Sequence, residues 1–168
     1  MKRPEVWMRG PLPDVPALLQ PVGHALLQAV EELEVVLQNF DSACLWIKPA
    51  GMASVGFHLR HLSGVLDRLF TYARAESLSS QQLEYLENEA AAGDESASVL
   101  VARFGVQVGN ALAQLRETRE SDLLAHRGIG RKQIPTNVLG LLFHAAEHTQ
   151  RHVGQLLVTV RWVATGGD

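Results

Sequence analysis

Cysteine is nearly absent from this chain: Cys44 is the single one in 168 residues. An internal disulfide is therefore excluded, and the fold must rest on apolar burial. An excess of positive charge is missing too. Fifteen Lys and Arg against eighteen Asp and Glu leave a formal charge of -3. A protein that grips nucleic acid by neutralising phosphates needs the opposite balance. No apolar run reaches the roughly 20 residues that span a bilayer. The opening stretch, MKRPEVWMRGPLPDVP, has charge and proline but no apolar segment of a secretory signal. These absences point to a cytoplasmic protein with neither nucleic acid nor membrane as partner. Strand-like alternation, internal repeats and low-complexity tracts are also missing.

What is there is helical periodicity. Hydrophobic residues make up 46% of the chain, enough for one globular core at this length. Residues 1–15, with three prolines and a glycine, read as an irregular N-terminal arm; residues 16–168 read as one domain. Between Pro16 and Phe40, Leu18, Val22, Ala25, Leu26, Ala29, Leu33, Val36 and Leu37 recur at helical spacing. A second stripe, Val55, Leu59, Leu62, Leu66, Leu69 and Ala73, follows Ser54, a candidate N-cap. SLSSQQLEYLENEAA predicts a short polar helix stopped at Gly93 and Asp94. Residues 95–125 predict the third long helix. HRGIGRKQIPT reads as a loop, and Thr136 as the cap of a fourth long helix running to about Val163. The expected fold class is all-α, a four-helix bundle with one extra short helix.

The fourth long helix carries FHAAEHTQRHVGQLL, with His144, His148 and His152 four residues apart. At about 100° per residue they share a face with Leu141, Ala145, Gln155, Leu156 and Thr159. Leu139, Phe143 and Leu157 fall on the opposite side. A helix apolar on two sides is covered on both, so the histidine face is expected to look into the bundle and the Phe143 face to form a homodimer. Imidazoles four apart on one helix can ligate one ion together. The second helix offers His58 and His61 as sources of a third ligand. The alternative is a set of hydrogen-bonded core histidines with no ion. His24 and His126 stand apart from these clusters. The zincin pattern is excluded because Thr149, not Glu, follows His148, and no Glu-x-x-His pair of the di-iron kind is present.

SVGFHLRHLSGVLDRLFTYA, followed far downstream by LLFHAAEHTQRHVGQLL, resembles the DinB-like (DinB/YfiT-like) metalloenzyme family over essentially the whole chain after the arm. The resemblance implies an up-down-down-up four-helix bundle, often dimeric, with a three-histidine centre for a divalent metal ion, nickel or zinc foremost. Carried over to this chain, the ligands would be His61, His148 and His152. His58 and His144, one turn earlier on their helices, would be partners of the ligands, alternative ligands or core residues. Members of this family include thiol-dependent S-transferases and isomerases that use bacillithiol or mycothiol. The resemblance therefore implies a metal-dependent transferase with a small-molecule thiol co-substrate, or a hydrolase. The alternative is a non-catalytic metal-binding or stress-response protein. Glu147, Arg151, Gln155 and Asp67 are nearby polar groups that are candidates for acid-base or orienting roles, or else surface groups or partners of the ligands. Cys44, in the apolar stretch ACLW, has no neighbouring base to activate it.

Overall fold

A computed structural model describes residues 3–166. Five α-helices occur among them: α1 (Gln20–Val36), α2 (Val55–Ala73), α3 (Ser80–Asn88), α4 (Ala97–Glu117) and α5 (Val138–Ala164). Helix α2 packs on α4 and α5, and α1 packs on the same two, so the four long helices close around one core. All six residues of the α2 stripe are buried in it. So are Val22, Leu26, Ala29 and Leu33 of α1. Leu18 is exposed instead, because a 3₁₀ turn, Ala17–Leu19, precedes α1.

Each helix start has a local cause. Ser54 Oγ accepts from the Phe57 N–H at 3.1 Å, the expected cap of α2. Ser79 and Gln82 satisfy each other's backbone N–H groups at the head of α3. Ser96 caps α4, and Pro21 occupies the first turn of α1. For α5 the cap is Asn137, whose Oδ1 accepts from the Gly140 N–H at 2.7 Å, rather than Thr136. Thr136 is engaged elsewhere. The stretch expected to be a loop is an antiparallel hairpin, β1 (His126–Ile129) paired with β2 (Ile134–Asn137), Thr136 opposite Arg127. Strands of four residues are too short to show alternation, and the turn between them uses left-handed backbone at Gly130.

The arm is ordered over its described part. Val6 is buried, and its N–H donates to Gln28 Oε1 at 3.0 Å. Arg9 reaches Glu31 on α1 at 2.6 Å. The N-terminal arm therefore lies along α1.

Phe104, fully buried on α4, carries no polar duty, so its contribution is packing alone. Phe104→Ala is expected to destabilise the protein by about 3–5 kcal/mol, the usual cost of truncating a buried phenyl ring. The exposed Val106→Ala should stay within about 0.5 kcal/mol. Urea unfolding curves of the two variants read the difference.

Candidate metal centre

Helices α2 and α5 meet along the seam that carries the histidines. His61 of α2 and His148 and His152 of α5 each offer a nitrogen within 4.8 Å of the others. The ring centroids of His61 and His152 are 4.5 Å apart, as are those of His148 and His152. His61 Nε2 lies 2.9 Å from His148 Nε2. The spacing that brings this about is one turn on α5 plus one matching position on α2.

The surrounding groups sort the remaining candidates. His58 is 3% exposed and turns Nδ1 onto His152 Nδ1 at 3.0 Å. It is a partner of a cluster member. His144 is exposed, with Nδ1 3.5 Å from Glu147 Oε2 at the surface. Glu147 is also ion-paired to Arg151. Gln155 is exposed, and Asp67 accepts from Gln82 Nε2 at 2.8 Å. None of these four polar groups hydrogen-bonds to His61, His148 or His152. His24 sits at the arm, Nε2 3.1 Å from Gly10 O, and His126 is exposed on β1.

Glu89 is the residue that sequence reasoning missed. It follows α3, is 3% exposed, and places Oε2 2.8 Å from His61 Nδ1. Arg68 Nη1 donates to its other oxygen at 2.6 Å. Glu89 stands among Glu84 and Glu87 in a polar stretch, and no spacing sets it apart. A scaffold of polar contacts delivers it. Arg60 donates to the carbonyls of Asn88 and Ala91 at 3.2 and 2.6 Å, and lies over the Trp46 ring. Trp46 Nε1 donates to Gly93 O at 2.9 Å. Gly56 leaves room for that indole, since a Cβ there would meet its ring at 2.9 Å.

Burial keeps three of these histidines hard to charge. Burial, followed by the charge of His61, pulls His58 down to about 4. Burial, then His61 and His144, holds His148 at about 4, and burial with its histidine neighbours holds His152 at about 3. Neutral imidazole is the form that binds a metal ion. The donor set also fits one. Two nitrogens bonded to a single tetrahedral zinc ion lie about 3.3 Å apart, close to the 2.9 Å between His61 and His148. His148 Nδ1 is buried with no hydrogen-bond partner.

A largely helical fold with clustered histidines defines the class: a helical bundle with a candidate three-histidine metal centre. The chain belongs to the DinB superfamily, whose sequence model matches residues 18–156 and so spans all three histidines. A conserved protein from Enterococcus faecalis, known from its crystal structure, is similar in fold. Its TM-score is 0.70 at 20% identity, over 88% of this chain and 97% of that one. No curated protein matches.

The depressed histidines set a pH dependence. Well above pH 6.5 these three imidazoles are neutral whether the chain is folded or not, and contribute nothing to its slope. As pH falls, the unfolded chain takes up protons near 6.5 while the folded one waits until about 4 for His58 and His148 and about 3 for His152. The unfolded state gains throughout that window. In chelator-treated protein, the urea midpoint should fall steadily from pH 7 to pH 4.5. A flat profile would contradict the buried, neutral cluster.

Proposed function

We propose that this chain is a metal-dependent enzyme that holds a divalent ion, nickel or zinc, at His61, His148 and His152, and that it transfers a group to or from a small-molecule thiol. The observation that carries the reading is the convergence of three imidazoles from two helices, two of them backed by their own buried partners. When bound, the ion supplies a Lewis acid whose charge three neutral ligands leave uncompensated, which lowers the pKa of a thiol or water.

The chain's own residues do the rest. His58 buttresses His152 from inside the core. Phe57 stacks on His61, ring centroids 5.3 Å apart, and also lines a hollow of about 180 Å³ with Lys48, Met52 and Ala90. That hollow gives a co-substrate an apolar wall beside the histidines and a lysine to attract a negative group. Cys44 is outside the histidine cluster, so the thiol comes from solution. A closed four-histidine site, as a non-catalytic metal protein would use, needs His58 or His144 as the fourth ligand; His58 is engaged with His152, and His144 is exposed beside Glu147.

Titration of tag-free, chelator-stripped protein with zinc or nickel in a calorimeter tests the ligand set. One ion per chain is expected. His148→Ala should weaken binding at least tenfold, while His126→Ala should leave it unchanged. Full affinity in His148→Ala removes the centre from this place. Metal-dependent consumption of bacillithiol or mycothiol in the presence of an electrophile tests the reaction, and turnover that survives chelation argues against it.

We further propose a homodimer through the Phe143 side of α5. Phe143 is 63% exposed, and Val158 and Trp162 add exposed apolar surface to the same helix. Sedimentation at micromolar concentration should give a dimer for the parent chain and a monomer for Phe143→Glu. A monomeric parent chain would refute the dimer.

A further inference from the structure

Glu89 has only two hydrogen-bonding partners, and both are demanding. Arg68 is buried and can only donate; it takes Oε1. His61 presents Nδ1 to Oε2. Gly64 faces the pair: a Cβ there would overlap Glu89 Oε1 and would meet Arg68 Nη1 and Tyr85 Cε1 at 2.7 Å. The missing side chain is the space in which the carboxylate and guanidinium meet.

We propose that Glu89, oriented by Arg68, is a positioning residue that locks His61 in its Nδ1–H tautomer and so turns an unprotonated Nε2 toward His148 and His152. A carboxylate paired with a guanidinium only accepts, so the proton between it and His61 belongs to Nδ1. His61 Nε2 must then accept. His148 Nε2, 2.9 Å away, must donate. That leaves His148 Nδ1 without a proton; this atom is buried with no hydrogen-bond partner, so no acceptor there competes for the proton. Every proton along the chain His148, His61, Glu89 points the same way. The tautomer follows from these contacts alone. Its consequence for metal affinity rests on the reading given under Proposed function.

A single substitution separates this role from simple packing. Glu89→Gln keeps the shape but leaves one acceptor oxygen for two neighbours. The guanidinium takes it, because hydrogen bonds to a charged group are the stronger ones. The amide NH₂ then faces His61 Nδ1, which must become the acceptor, and the proton moves to Nε2. Arg68→Met frees the oxygen again, so Glu89→Gln combined with Arg68→Met should return the proton to Nδ1.

The test is ¹⁵N NMR of the imidazoles in metal-free protein at neutral pH, with zinc affinity measured alongside. The parent chain should show His61 as Nδ1–H, Glu89→Gln as Nε2–H, and the double variant as Nδ1–H. Zinc affinity should fall about 10–100-fold in Glu89→Gln and recover in the double variant. An Nε2–H His61 in the parent chain overturns the proposal, and that measurement needs no variant to fold. So does a Glu89→Gln protein that keeps Nδ1–H or the parent's zinc affinity. If the tautomers switch as stated but the parent chain binds neither zinc nor nickel, the lock stands and the metal centre falls.

Discussion

A neutral imidazole taken out of water loses the hydrogen bonds water gave it, and of its two nitrogens one can only donate while the other can only accept. That constraint governs the seam between α2 and α5. Five histidines lie on these two helices, and four of them, His58, His61, His148 and His152, contact one another. Burial first, and then the neighbouring rings, make His58, His148 and His152 harder to charge. These three rings are therefore held neutral by their own packing. His144, a turn earlier on α5, escapes to the surface and answers to Glu147.

The same constraint explains why a helix with nothing of its own to bury belongs to the fold. Helix α3 contributes no buried residue. It is fastened by polar contacts instead: Gln82 donates to Asp67 and Thr71 of α2, and Tyr85 Oη donates to Arg60 O. Arg60 and Trp46 then grip the chain just beyond it. What this framework delivers to the core is one carboxylate, Glu89, with Arg68 to compensate its charge. Buried ion pairs add little net stability, so packing energy alone is a weak reason for this one.

Local signals were legible in the sequence, and contacts between distant segments were not. The α2 stripe and its Ser54 cap depend on residues a few positions apart, and they stand as read. The grouping of His61 with His148 and His152 was legible because helical pairs restrict which residues can converge, and because the family resemblance chose His61 over His58. Glu89 and Arg68 are 21 positions apart, and Glu89 and His61 are 28 apart. No periodicity reports a meeting set by tertiary packing. The hairpin was hidden for another reason: His126–Ile129 and Ile134–Asn137 are too short to carry a pattern, and the glycines between them read equally well as a loop. The helical wheel also joined what the bundle separates. Leu139 and Leu157 pack against the core, while Phe143, placed with them, points away from it.

Burial across the seam is graded, and the grading bears on chemistry. His58 is buried, whereas His61, His148 and His152 keep part of their surface. Deeper burial would strengthen the field at the cluster but close it to solutes. Full exposure would let the imidazoles take protons near their ordinary pKa and lose the ability to ligate. A cavity of about 470 Å³ lies between the C-terminal end of α2 and the hairpin, where Tyr72, His126 and Arg127 line it. Helix α2 separates that cavity from His61 by eleven residues, about 16 Å of helix. The candidate site is marked by where imidazole nitrogens converge and by the carboxylate that one of them faces.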